Sequence, residues 1–261
     1  METIEGRQSV FAALQARQRR FQMILVAHGA HVEKFTEVME LAEQLGVPVR
    51  TADRKELDQM AHGASHGGML ALAGPKPRLD GDGLVEVVER LGRRPAMLLL
   101  IEGVEDARNL GFTLRSAEAL GAHAVLIKKH VWDLDATEIA RPSSGAYERL
   151  PLVQIDSTDP LVKVQRLGCK LYGCIAGAKR TVFDVDMTGP SVLAIGGEKR
   201  GLSGAVREIC DRFITIPTAA GGASLSMSHA ACMVMGEAMR QRLMKTREQP
   251  TLVPDGATDP L

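Results

Sequence analysis

Short apolar runs alternate along this chain with longer segments whose apolar residues recur three and four positions apart. Val10, Phe11 and Leu14 give residues 7–20 one apolar helical face, and the segment ends in the basic turn Arg17-Gln-Arg-Arg20. Phe21–Ala27 reads as a strand, residues 32–45 as a second helix, and Gly46-Val-Pro-Val-Arg50 as a turn into another strand. A short helix over Arg54–Met60 and a strand over Met69–Ala73 follow, and the alternation predicts an α/β layer. A helix over 84–91 then precedes apolar strands at 96–101, 122–127, Lys170–Cys174, Ser191–Ile195 and 213–216. Continuous apolar strands between helices suit a parallel sheet covered on both faces. The last helix is methionine-rich. Ser224 stands at its expected N-cap, and Met227, Met233, Met235 and Met239 are expected to fill packing gaps.

The proline- and glycine-rich stretch 74–83 marks a composition shift, and 261 residues suffice for two modest domains. The expected division is a first domain over 1–78, a linker and first helix over 79–95, a second domain over 96–246 and a flexible tail over 247–261. The apolar stretches are too short to span a bilayer, and Met1-Glu-Thr-Ile-Glu lacks the form of a secretory signal. Cys169, Cys174, Cys210 and Cys232 show no CxxC spacing and read as reduced, mostly buried thiols of a cytoplasmic protein. No His/Cys/Asp grouping has metal-ligand spacing, so no metal is expected. Basic and acidic residues balance at 32 each, which counts mildly against a nucleic-acid binder. Basic residues at 15–20 and 90–94 still leave room for a local patch.

Three glycine-containing runs carry the candidate chemistry. Residues 101–122 lead from a strand through a polar turn into a helix, with Asn109 near its start and Arg115 inside it. Taken alone, this is also an ordinary strand–turn–helix with a solvated arginine. Leu193-Ala-Ile-Gly-Gly-Glu-Lys-Arg-Gly-Leu-Ser203 ends a strand in a glycine loop, where open α/β sheets bind ligands. It matches neither GxxxxGK[ST] nor GxGxxG, and its Lys199 and Arg200 either hold phosphate or are simply solvated. The third run, residues 214–230, lets a ligand approach the main chain closely because few side chains intervene.

In this order the runs resemble the SpoU (TrmH) branch of the SPOUT methyltransferases, RNA ribose 2′-O-methyltransferases that use S-adenosylmethionine (AdoMet). Asn109-Leu-Gly with Leu114-Arg-Ser-Ala117 resembles the family's first motif, Gly196-Gly-Glu198 with Gly201-Leu-Ser203 its second, and Ile216-Pro217 with Ser224-Leu225 and Ser228 its third. Arg141-Pro-Ser-Ser-Gly-Ala-Tyr-Glu-Arg-Leu-Pro151 is similar to the segment between the first two motifs. Residues 4–14 through His66-Gly67-Gly68 resemble the substrate-binding domain often fused ahead of the catalytic one.

The resemblance implies a small α/β RNA-binding domain followed by a trefoil-knotted, mostly parallel α/β domain. It implies that Gly196, Ile216 and Leu225 hold AdoMet, and that Arg115, Asn109, Glu198 and Ser226 form the catalytic constellation. Arginine is a poor free base, so Arg115 is expected to orient phosphate and hydroxyl, with proton removal assisted by substrate phosphate or a neighbouring group. The implied partners are RNA, ribosomal in preference to transfer RNA, and a second copy of the chain. There are two departures. Ser226 stands where the family usually has asparagine, and Gly67 where it commonly has glutamine. Ser226 is the main support for the alternative, a non-catalytic RNA-binding paralogue that retains the fold. A small-molecule α/β enzyme is disfavoured by the missing nucleotide fingerprints. His66 and His229 read as structural or RNA-facing, and Asp184-Val-Asp186 as a loop edge.

Overall fold

The computed structural model describes residues 1–30, 32–62, 66–128, 134–197, 199–219 and 225–248. Two sheets organise it. The first has the order β1-β4-β2-β3, from β1 (Glu2–Glu5), β2 (Phe21–Ala27), β3 (Val49–Ala52) and β4 (Met69–Ala73). β4 runs antiparallel to β1 and β2, while β2 and β3 are parallel. Helices α1 (Arg7–Ala16) and α2 (Thr36–Gln44) cover one face through Val10, Leu14 and Val38, and α3 (Arg54–Met60) covers the other through Leu57. α1 stops four residues before the end of the expected basic segment because Arg17 turns left-handed, with φ 52°. The segment expected as one helix from residue 32 begins as a 3-10 turn, Val32–Phe35, before α2.

The second sheet is entirely parallel, in the order β10-β8-β9-β5-β6-β7. Its strands are β5 (Met97–Ile101), β6 (Ala124–Lys128), β7 (Leu152–Ile155), β8 (Lys170–Cys174), β9 (Ser191–Ile195) and β10 (Arg212–Ile214). All five residues of β5 are buried because successive side chains feed opposite layers. Met97, Leu99 and Ile101 pack beneath α5 (Ala107–Ala119), α6 (Ala136–Ser143), α7 (Ala146–Arg149) and α10 (Met227–Glu248). Leu98 and Leu100 pack beneath α4 (Gly81–Arg90), α8 (Asp159–Arg166) and α9 (Gly204–Ile209). The α/β reading with a mostly parallel sheet therefore holds.

α10 buries Ala231, Val234, Met235 and Ala238, an i, i+3, i+4, i+7 stripe. Met227 also lies inside, but Met233 is exposed, contrary to the expectation that it fills a gap. The expected cap Ser224 lies outside the described residues. Ser226 immediately precedes α10, and its Oγ accepts the His229 N–H at 3.5 Å. Of the expected tail, residues from 249 on lie outside the described residues. All four cysteines are free, yet only Cys169 is fully buried and Cys232 is exposed, so "mostly buried" was too strong.

The stretch 74–83 is pinned at both ends. The Gly74 N–H donates to the Arg20 carbonyl at 2.8 Å. The Leu79 N–H donates to Leu152 at 2.9 Å, and Gln154 returns a bond to the Leu79 carbonyl at 2.8 Å. Asp80 caps α4 through the Asp82 and Gly83 amides. Beside this stretch the two sheets are joined by buried charge. Arg19 grips both oxygens of Glu148 at 2.8 and 2.9 Å and reaches Glu2 at 2.5 Å. Lys76 donates to the Glu148 carbonyl at 2.9 Å and to Gln18 at 3.1 Å. Burial pushes the Lys76 ammonium down to about 8. Arg141 binds Glu5 at 2.5 Å. Gly145 faces α1 so closely that a Cβ there would lie 2.7 Å from the Ala12 methyl.

Candidate active site

The carboxyl ends of β8, β9 and β10 open onto a cavity of about 790 Å³, at the edge where parallel sheets bind ligands. Its floor is the loop that follows β9. Gly196 presses against the returning chain, so a Cβ would sit 2.3 Å from the Gly201 carbonyl carbon. At Gly197 a Cβ would lie 2.4 Å from the Gly103 carbonyl oxygen. The Gly201 N–H closes the turn onto the Gly197 carbonyl at 2.9 Å. The opposite wall comes from the segment after β10, tied to the residues after β8 by the Val182 N–H on the Thr215 carbonyl at 2.8 Å. Half-buried Ile216 and exposed Leu225 line this wall, and Ser226 completes it.

Gly196 of the second run and Ile216, Leu225 and Ser226 of the third thus share one cavity. Asn109, in the first turn of α5, lines a smaller neighbouring hollow with Gly103, Asp106 and Lys199, and Met227 borders both. Arg115 lines neither; it is exposed on α5. Glu198 lies outside the described residues. Lys199 forms a surface ion pair with Glu105, which links the first-motif turn to the second-motif loop.

Sequence reasoning missed a contact at Ser226. Its Oγ lies 2.5 Å from His229 Nδ1 and 3.1 Å from Ser228 Oγ. The spacing i, i+3 at a helix start was the available signal. His66 is structural: it is fully buried, Nε2 meets Asp58 at 2.8 Å, and Nδ1 accepts the Gly68 N–H at 3.1 Å. Cys174 also lines the cavity, but burial pushes its thiol up to about 11, so it is not a thiolate nucleophile. Among the described residues, no group of His, Cys, Asp and Glu could hold a metal ion. No helix among them is long and apolar enough to cross a membrane.

Residues 96–236 match the model of the SpoU rRNA methylase family. The chain belongs to that family. Residues 3–79 match the RNA 2′-O ribose methyltransferase substrate-binding model, which spans the first sheet. This methyltransferase is 33% identical over 246 residues to the 23S rRNA (guanosine-2′-O-)-methyltransferase RlmB of Pseudomonas putida, covering 94% of this chain and 98% of that protein. Identity to RlmB of Escherichia coli K12 is 32%, with 92% and 99% covered. Among solved structures, the SpoU methyltransferase AviRb from Streptomyces viridochromogenes in complex with AdoMet superposes with a TM-score of 0.75, at 26% identity, covering 92% of this chain and 90% of that one.

The residues of the cavity fit the expected AdoMet. Glycine lets the loop after β9 fold tightly enough to floor the cavity, a cradle that a Cβ at Gly196 would disrupt, and apolar Ile216 and Leu225 offer surfaces for a flat ring.

Proposed function

We propose that this methyltransferase transfers the methyl group of AdoMet to the 2′-hydroxyl of a guanosine ribose in 23S rRNA, acting in the cytoplasm as a homodimer. One observation carries the reading: Gly196, Ile216, Leu225 and Ser226 converge on one cavity beside Asn109. Relatives of nearly equal length that bear the RlmB name support the choice of RNA. Residues 1–78 serve as the RNA substrate-binding unit, and the family's trefoil knot forms where the chain passes into α10.

When bound, AdoMet supplies an electrophilic methyl group. The glycine loop holds it through main-chain hydrogen bonds, while Ile216 and Leu225 flank its ring. Asn109 and Glu198 orient the ribose. Ser226 presents its hydroxyl in place of the usual carboxamide, held in position by His229. A guanidinium is a poor base, so Arg115 aligns the 2′-oxygen and the adjacent phosphate rather than taking a proton.

A dimer explains the position of Arg115. Phe112 precedes it by three residues, which puts both on one face of α5. Phe112 is 50% exposed, and Met233 on the adjoining α10 is 42% exposed, an apolar pair suited to a second copy. Each Arg115 then serves the cavity of the partner subunit. The test is complementation between two inactive chains, Arg115→Ala and Gly196→Val. Mixed dimers are expected to regain methyl transfer to 23S rRNA. Activity that never exceeds the sum of the two parents contradicts action across the dimer.

A further inference from the structure

Glu102, the first residue beyond β5, is a carboxylate only 3% exposed. Its Oε2 accepts the Ser203 backbone N–H at 2.7 Å, and its Oε1 accepts the Ser203 hydroxyl at 2.9 Å. Lys128, the last residue of β6, forms an ion pair with the same Oε1 and reaches Ser203 Oγ at 3.3 Å. Ser203 directly follows Gly201 and Leu202, which line the large cavity, and it caps α9 through the Val206 N–H at 3.4 Å. The near end of the loop is anchored by the same residue, because the Glu102 N–H donates to the Ile195 carbonyl at 3.0 Å. Glu102 therefore ties both ends of the loop from Gly196 to Leu202. Neither Glu102 nor Lys128 lines the cavity itself.

Capping α9 needs only the serine hydroxyl, so the helix alone does not account for a buried carboxylate and a lysine reaching over from another strand. Buried ion pairs are weak devices for stability, since desolvation offsets much of their attraction. They do hold geometry when every oxygen is satisfied, as here. We propose that Glu102, supported by Lys128, is a positioning residue for AdoMet, acting through Ser203 to hold the glycine loop in its cofactor-receiving shape. This rests on the reading that the cavity binds AdoMet. Preorganisation of this kind acts on cofactor affinity and leaves RNA recognition alone.

The test is calorimetric titration with AdoMet, with steady-state methylation and separate binding of a 23S rRNA fragment, on wild type, Glu102→Gln, Glu102→Asp and Lys128→Met. Glu102→Gln is expected to raise Kd and KM for AdoMet roughly tenfold or more, with kcat at saturating AdoMet and RNA affinity within about twofold. Lys128→Met is expected to raise them about threefold, and Glu102→Asp to restore part of the loss. A folded Glu102→Gln protein with wild-type AdoMet affinity overturns the proposal. So does a parallel fall in RNA affinity and kcat, which marks a general structural role. If Glu102→Gln gives no cooperative melt, Ser203→Ala decides, because it keeps the amide donor and loses the hydroxyl. A rise of about threefold in AdoMet Kd supports the proposal, and an unchanged Kd overturns it. Wild-type protein that fails to bind AdoMet is a distinct outcome, which removes the cofactor reading and this proposal with it.

Discussion

At the seam between the two sheets, Arg19 and Glu148 meet with side chains only 3% and 2% exposed; at the proposed AdoMet cradle, Gly196 and Gly197 have no side chain at all. The seam fixes one folded unit against another, so it uses long side chains whose charges must find each other in a dry interior. Once removed from water, neither member tolerates loss of its partner, which makes the contact specific as well as costly to break. The cradle has to leave room. There backbone packs directly on backbone, Gly196 against Gly201 and Gly197 against Gly103, and the shape of the cavity depends on the absence of Cβ atoms at those two positions. The seam is thus vulnerable to deletion and the cradle to addition.

Arg19→Ala puts the largest strain on that contrast. Stranding buried Glu148 is expected to cost about 3–5 kcal/mol of unfolding free energy in urea titrations. The joint change Arg19→Met with Glu148→Leu should recover most of it, and AdoMet affinity in the folded fraction should stay near wild type. A single substitution that costs less than about 1 kcal/mol would mean that the seam is no clamp. Gly196→Ala comes next. Its Cβ would sit 2.3 Å from backbone, so AdoMet affinity is expected to fall at least about a hundredfold, or roughly 2.7 kcal/mol. Because that clash is with the loop's own main chain, urea stability should fall as well, and a variant unchanged in both stability and AdoMet affinity would erase the distinction between the two regions.

The pH dependence of Lys76 is a smaller probe of the seam. Its pKa falls from 10.5 to about 8 on burial, so the unfolded chain binds more protons between those values. The charged ammonium therefore burdens the fold below about 8, and the burden lifts as pH rises toward 10.5. Melting temperatures of wild type and Lys76→Met, compared across that range, should shift in favour of the wild type. A constant difference would show that Lys76 titrates normally. Ser226→Asn is the mildest change: activity should stay within about threefold of wild type, because the carboxamide supplies both a donor and an acceptor there. Complete loss of turnover would give Ser226 and its His229 contact a specialised role.

The cradle was far more legible in the sequence than the seam. Glycines at fixed spacing after an apolar strand express a steric demand that shows locally, and motif order singled out Gly196, Ile216 and Leu225, which line one cavity. The Arg19–Glu148 contact spans 129 residues, so no local pattern exposes it. That is why Arg17-Gln-Arg-Arg20 read as a basic patch, although Arg19 is buried. Gly111 of the first motif belongs to packing: a Cβ there would lie 2.4 Å from the Ile139 carbonyl oxygen on α6, a contact only the fold creates. β1 escaped notice because Ile4 is its one apolar residue and it pairs with β4 alone. β7 escaped because four residues behind Pro151 give too short a run.

Calorimetric titration of AdoMet into wild type and Gly196→Ala, with the melting temperature of each recorded, tests the cradle most directly. Saturable binding by wild type and none detectable by a folded Gly196→Ala protein is the expected result. Equal affinities, or a wild type that does not bind, would contradict the assignment of this cavity to the methyl donor.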